Sequence, residues 1–312
     1  MNINPLVSVI IPNYCHARYL DERIQSVLNQ TYTNFEVIIL DDCSPDNGAS
    51  KEVIERYRSN PRISQIVYNE QNSGSPFKQW NKGFGLAKGE FIWIAESDDS
   101  CDEVLLESLV GRLMENSNAV VAFSCCLGFF KEKGDVGYIG YQNDKDVIFT
   151  DFLRDRFYGK VGISNASCAL VRKSAIDKIE KRFLTFKGAG DIMFWLELSQ
   201  VGSFVYSKDG VDHFRRHTNC TTNKSQKSGI NQREDKLIFN YTLSKFQPSQ
   251  KEIKTYVKTL VRTRIFEMVE DKKLKKELYK VWNFSRWQQM ELRLEAWGQK
   301  LAGLLSFKHR NP

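Results

Sequence analysis

The apolar run Phe91-Ile92-Trp93-Ile94-Ala95 passes without a break into Glu96-Ser97-Asp98-Asp99, with Lys88-Gly89-Glu90 in front of it. A short apolar run bounded by turn residues reads as a buried strand, so three carboxylates emerge together where that strand ends. Crowded carboxylates repel one another unless a cation joins them. Hard oxygens suit Mg²⁺ or Mn²⁺ and leave positions open for phosphate, so a divalent metal carrying a diphosphate is one solution. A solvated acidic turn is the other reading of such a cluster taken alone.

The cluster is not alone. Phe35-Glu36-Val37-Ile38-Ile39-Leu40 runs into Asp41-Asp42-Cys43-Ser44-Pro45-Asp46, and Val7-Ser8-Val9-Ile10-Ile11 ends in Pro12-Asn13-Tyr14. Between these two runs, residues 20–29 carry Leu20, Ile24, Val27 and Leu28 at helical spacing, with Asp21 and Glu22 expected in the first turn. Strand, helix, strand implies parallel pairing. In open parallel sheets the ligand crevice lies outside the carboxyl ends of the strands, where Tyr14, Asp42 and the Glu96 cluster all fall. The predicted fold class is therefore α/β, a Rossmann-like, mostly parallel sheet flanked by helices.

With 312 residues, 41% of them hydrophobic, the chain can bury a full core, and one α/β domain with an appendage is the expected division. The N-terminus enters the first strand with no leader pattern, and no stretch approaches the roughly 20 apolar residues of a spanning helix, so a cytoplasmic location is expected. Seven cysteines with no C-x-x-C spacing argue against a disulfide framework or a structural zinc site and for reduced, mostly buried thiols.

The motifs resemble those of the inverting nucleotide-sugar glycosyltransferases of family 2, with the fold called GT-A. The resemblance rests on Val7 to Tyr14, Ser26-Val27-Leu28-Asn29-Gln30-Thr31-Tyr32, Ile39-Leu40-Asp41-Asp42-Cys43-Ser44, Asn81-Lys82-Gly83, Ala87-Lys88-Gly89-Glu90 and the Glu96 cluster, in the family's order. It implies that Pro12 and Tyr14 line the base pocket and that Asp42 accepts hydrogen bonds from the base. Glu96 stands first in the family's Asp-x-Asp and would face the ribose. Asp98 stands last and would bind Mn²⁺ or Mg²⁺, with Asp99 sharing that role. Two departures stand out: Glu96 replaces the usual Asp, and Gln79-Trp80 stand where many relatives place Ala-Arg, which would leave Lys78 or Lys82 to meet the diphosphate.

Further along, residues 102–114 read as a helix with Val104, Leu105, Leu109, Leu113 and Met114 inward. Strands are expected at 119–123 and 126–130, and residues 131–146 read as an irregular connection of the kind that contacts an acceptor. Gly188-Ala189-Gly190-Asp191 precede an apolar helix, and by itself Asp191 reads as its N-cap. Relatives place an acidic pair here whose second member is the general base, so the resemblance makes Asp191 that base, with Gly190 replacing the first acid. Phe214-Arg215-Arg216-His217 resembles the family's element after the base helix, implying His217 as a metal ligand and Arg215 or Arg216 as a diphosphate clamp.

The implied reaction is a non-processive, metal-dependent transfer from a nucleotide-diphosphate sugar, UDP by family habit, to a glycan or lipid-linked acceptor in surface polysaccharide synthesis. The expected division is a catalytic domain over 1–225, its nucleotide half near 1–115 and its acceptor half near 116–225, followed by 226–312. Residues 251–280 read as two or three basic amphipathic helices, and Trp282, Trp287 and Trp297 with the terminal apolar run resemble an anchor to an anionic membrane face. The alternative is that these helices pack on the catalytic domain or on a second subunit as a homodimer. A nucleotidyltransferase would need a phosphate loop after the first strand, where Pro12-Asn13-Tyr14-Cys15-His16 stand instead. A nucleic-acid-binding protein would need a recognition platform, and none is found, so no nucleic-acid partner is expected.

Overall fold

The structure, a computed structural model, describes residues 4–130, 135–216 and 225–308, with the side chains of 130, 135, 216 and 298–308 excepted. The chain forms two compact units, Met1–Cys220 and Thr221–Pro312.

In chain order the first unit contains β1 (Val7–Asn13), α1 (Ala17–Leu28), β2 (Phe35–Asp41), α2 (Ala49–Glu55), β3 (Ile63–Tyr68), α3 (Pro76–Leu86), β4 (Phe91–Ile94), β5 (Ser100–Cys101) and α4 (Leu105–Glu115). It continues with β6 (Ala119–Phe130), β7 (Asp135–Ile139), β8 (Val147–Phe149), α5 (Phe152–Phe157), β9 (Ala169–Arg172), α6 (Lys173–Ile176), α7 (Gly190–Leu198) and β10 (Ser203–Arg216). The main path of the sheet is β3-β2-β1-β4-β9-β6-β10-β5, with β7 on β6 and β8 on β10. Neighbours from β3 to β4 are parallel, and β9 is antiparallel to both β4 and β6.

Every residue of β1 and β2 is buried, as expected of strands covered on both faces. Period-two geometry divides them. Val7, Val9 and Ile11 share a core with Leu20, Ile24 and Val27 of α1 and with Leu105 and Leu109 of α4. Ile10, on the opposite face, lies under α3, where a Cβ added at Gly83 would stand 2.6 Å from the Ile10 side chain. Only a glycine lets that helix approach so closely. Because β1 leads to β2 on one side while β4 pairs on the other, the carboxyl ends of β1 and β4 flank the point where strand order reverses.

Several local expectations are corrected. Helix α1 begins at Ala17, one turn early, so its first turn holds no acid and Asp21 and Glu22 lie further in. Asp21 instead accepts from Tyr57 and Gln25. Val104 precedes α4 and is exposed, while Leu106 and Val110 are inward. The two strands expected near 119–130 are one, β6, and the stretch read as an acceptor-contacting connection contains β7, paired antiparallel with it. Of the six described cysteines, four are buried, Cys15 is exposed and Cys43 is intermediate.

The second unit is helical: Ile230–Lys245, Gln250–Val261, a π-turn at Arg262–Glu267, Lys272–Val281 and Arg286–Lys308. Ser249 and Glu252 close a reciprocal capping box at the second of these. Trp282, expected at a surface, is 3% exposed: it packs 5.5 Å from Phe239 and donates its indole N–H to Gln232 O at 3.2 Å. Among the described residues, no helix is long and apolar enough to cross a membrane.

Candidate active site

The chain leaves β1 at Asn13, whose amide donates to Asp41 Oδ1 at 2.7 Å, tying the ends of the two parallel strands together. Pro12 is buried in the strand and Tyr14, just beyond it, is 45% exposed. Asp42 is 4% exposed and saturated. Its Oδ1 accepts from Asn69 Nδ2 at 2.7 Å, Ser73 N at 2.9 Å and Gln79 Nε2 at 2.8 Å, and its Oδ2 accepts from Ser73 Oγ at 2.7 Å and Asn72 Nδ2 at 3.2 Å. A carboxylate offers roughly four lone-pair positions, so these five donors fill it. Lys82 donates to Asn69 Oδ1 at 2.5 Å, one shell outside Asp42, and Lys78 donates to Ser73 O at 3.1 Å.

At the end of β4 the four residues of the acidic cluster diverge. Glu96 accepts the indole N–H of Trp80 at 2.8 Å, and its pKa is pushed up to about 8, by burial first and then by the Asp98 charge. The Trp80 bond and Arg23 oppose that rise, and Asp191 adds to it. Asp98 is partly open, its side chain 16% exposed, with His16 Nδ1 3.9 Å from Oδ1. His16 also meets Ser97 Oγ at 2.9 Å.

Asp99 is the opposite case at 1% exposure. It accepts from Asn165 Nδ2 at 2.7 Å, Ser167 Oγ at 3.0 Å and the Arg215 backbone N–H at 2.9 Å. Asn165 also bonds Asp212 Oδ2 at 2.7 Å. Arg23, wholly buried, sets its guanidinium 3.8 Å from Asp99 and 3.5 Å from Asp212 and donates Nε to Glu96 O at 2.9 Å. Burial, then the neighbouring acids Asp98 and Asp212, holds the Asp99 carboxyl well above its usual range, and burial likewise raises Asp212 against the pull of Arg23. Asp99 is thus a buried support under the cluster, and Asp98 is its open carboxylate.

Asp191 lies in the first turn of α7, whose N-cap residue is Ala189 with no side-chain cap, so the N-cap reading of Asp191 does not describe this helix. A Cβ added at Gly190 would stand 2.6 Å from the Phe77 ring, so Phe77 fills the space a side chain there would need. Phe77 meets Trp80 edge-on at 5.1 Å and Trp80 meets Phe194 of α7 at 5.9 Å, an aromatic seam joining α3 to α7. That seam brings Asp191 within electrostatic reach of Glu96.

Arg215 is committed elsewhere: its NH2 donates to both oxygens of Glu22 at 2.8 Å, and its guanidinium lies over the Tyr19 ring. His217 and the side chain of Arg216 lie outside the described residues. Among the described residues no three His, Cys, Asp or Glu side chains gather as a metal cage. A divalent ion bridging a diphosphate takes one or two protein carboxylates and leaves its other positions to phosphate and water, and the open Asp98 suits that donor set.

Sequence reasoning missed Arg23, His16, Asn165 and Asp212, and read Gln79 and Trp80 only as departures. For Arg23 a signal existed: it falls three residues after Leu20 and four before Val27, on the buried stripe of α1.

A sequence model described as Glycosyl transferase family 2 matches residues 8–180. The chain is 31% identical over 196 residues to the poly(ribitol-phosphate) beta-N-acetylglucosaminyltransferase TarP of Staphylococcus aureus, covering 61% of this chain and 56% of that protein. It is 26% identical over 210 residues to a GalNAc(5)-diNAcBac-PP-undecaprenol beta-1,3-glucosyltransferase of Campylobacter jejuni, covering 65% and 63%. The match spans about half the length, or less, of the first curated relatives. Among solved structures, S. aureus TarS 1-349 in complex with UDP-GlcNAc superposes with a TM-score of 0.65 at 17% identity, covering 88% of this chain and 79% of that one. The mannosyltransferase PcManGT of Pyrobaculum calidifontis in complex with GDP-Man and Mn²⁺ gives 0.61 at 15% identity, covering 96% and 81%. At such identities the structural likeness speaks for the fold.

Proposed function

The chain belongs to glycosyl transferase family 2 and has the GT-A fold, and from that premise we propose that it is a metal-dependent, inverting, non-processive transferase using a nucleotide-diphosphate sugar. The observation that carries this reading is that Asp191, in the first turn of α7, stands within electrostatic reach of Glu96 at the end of β4.

In this reading Pro12 and Tyr14 flank the base, Asp42 accepts hydrogen bonds from it, Glu96 meets the ribose and Asp98 would hold Mn²⁺ or Mg²⁺. An ion held at Asp98 would supply charge neutralisation to the diphosphate. Asp191 accepts the proton of the acceptor hydroxyl as its oxygen bonds the anomeric carbon and the bond to the diphosphate breaks on the opposite face. One carboxylate on the attacking side suffices, so this reading needs no covalent intermediate. Residues 1–225 form the catalytic part, and 226–312 hold it at the cytoplasmic side of an anionic membrane. The names of the relatives support a surface glycan or lipid-linked acceptor, and the UDP-GlcNAc complex of TarS supports UDP as the nucleotide.

Calorimetry with UDP and GDP, with and without Mn²⁺, tests the donor side. Binding is expected only with metal, and Asp98→Asn is expected to weaken it at least about tenfold through loss of a ligand charge. Undiminished metal-dependent binding by that variant rejects the assignment. A screen of nucleotide sugars by thermal stabilisation then identifies the donor.

A further inference from the structure

The second unit contains a cavity of about 580 Å³ whose lining includes Lys272, Lys275, Lys276, Lys280, Arg286 and Arg293 and no acidic residue. Among the described residues none of these six cations makes an ion pair, and of the nearby acids Glu277 is taken by Arg233, Glu291 and Glu295 by Lys258, and Glu267 by Arg262, which leaves Glu270 acting on Lys275 from outside the lining. Lys275 reaches Phe266 O at 2.9 Å and stands over the Phe266 ring, and burial followed by the charge of Arg293 lowers its proton affinity against the pull of Glu270. Like charges held around a concave site with no carboxylate in its lining favour a multiply bonded anion, and lysine and arginine together suit phosphate oxygens.

The helix Arg286–Lys308 carries a second feature beside that cavity. Trp287, Met290, Leu294 and Trp297 are 73%, 43%, 61% and 65% exposed, at spacings of three, four and three that place them on one face. Arg286, Gln289 and Arg293, which line the cavity, each stand one residue earlier, roughly 100° around the helix. An apolar, tryptophan-bearing stripe edged by cations is the pattern of a helix lying in a lipid interface. A soluble phosphate would use the cavity and leave the stripe without a role.

We propose that this cavity holds the phosphate headgroup of an anionic lipid while the Trp287, Met290, Leu294 and Trp297 stripe sits at the bilayer interface. The proposal rests on the membrane-surface reading of the C-terminal unit and narrows it from diffuse attraction to a formed site.

The test is sedimentation of the full chain with vesicles of phosphatidylcholine, with and without about one third phosphatidylglycerol. Wild type is expected to sediment only with the anionic vesicles. Lys276→Ala/Arg293→Ala is expected to lose about tenfold or more in partitioning, while Lys251→Ala/Lys254→Ala, which removes the same charge from exposed positions outside the cavity, loses less than about threefold. Lys280→Ala/Arg286→Ala repeats the test on other lining residues, with thermal unfolding as the check on fold. Equal losses in the cavity and control variants overturn the headgroup site and leave general membrane attraction standing. Failure of wild type to bind anionic vesicles overturns both. A lipid-free dimer that Trp287→Ser/Trp297→Ser converts to monomer assigns the stripe to a second copy and overturns the lipid proposal.

Discussion

The indole N–H of Trp80 donates to a carboxyl oxygen of Glu96 at 2.8 Å, joining two positions where the chain departs from its family's usual residues. The longer acid and the indole belong together, since each satisfies the other. Trp80→Phe keeps the aromatic seam but removes the donor, and is expected to cost about 1–3 kcal/mol, the range for stranding a buried polar partner, and to weaken nucleotide binding. Chemical denaturation and calorimetry measure the two effects. Unchanged stability and affinity show that water replaces the bond and that the pairing has no role.

Asp191→Asn is expected to leave donor binding nearly intact while transfer falls by about 10²-fold or more, the usual contribution of a general base. Single-turnover rates beside donor titrations check this. If donor affinity drops in step with rate, the carboxylate serves the nucleotide side and the role of base is wrong.

The contact between Gly190 and Phe77 gives a packing test. Gly190→Ala pushes a methyl into the ring and is expected to destabilise by about 1–3 kcal/mol. Combined with Phe77→Leu, which opens the space, the pair is expected to lose less than the sum of the single changes. Strict additivity in urea unfolding contradicts the steric account.

Acid sensitivity has a local source at Glu55. Two hydrogen bonds from Arg58, at 2.5 and 2.7 Å, and one from the Tyr68 hydroxyl at 2.7 Å hold its pKa down to about 2 from 4.5. The folded value lies below the unfolded one, so the stabilisation is full above pH 4.5 and is lost as pH falls towards 2. Glu55→Gln is expected to make the decline of the thermal midpoint shallower over that window. An unchanged slope assigns the acid response to other carboxylates.

Three strands of the parallel half were legible because β1, β2 and β4 are mostly apolar runs with polar ends, broken only by Ser8 and Glu36, which bond each other, whereas the half-buried β3 was missed. The site was legible as far as strand ends reveal it. What separates Asp98 from Asp99 was not, because it depends on Asn165, Ser167 and Asp212, far along the chain. Arg23 sits on the buried stripe of α1, but the acids that it joins, Asp99 and Asp212, are brought to it by the fold. In the second unit the amphipathic periodicity was readable, but not which tryptophan faces inward. Trp282 fills a core with Phe239, while Trp287, five residues on, stands in the open.

The five donors gathered on Asp42 have a kinetic consequence. Under the proposed role of Asp42, a nucleobase would bond that carboxylate only by evicting a donor already in place, from Asn69, Asn72, Ser73 or Gln79. Arrival of the nucleotide would then be an exchange rather than a simple docking, and its observed rate is expected to level off at high nucleotide concentration at the pace with which the 69–79 segment releases its hold. The same segment would re-form its bonds as the spent nucleotide leaves, so it would act as a built-in competitor that speeds turnover at the expense of affinity.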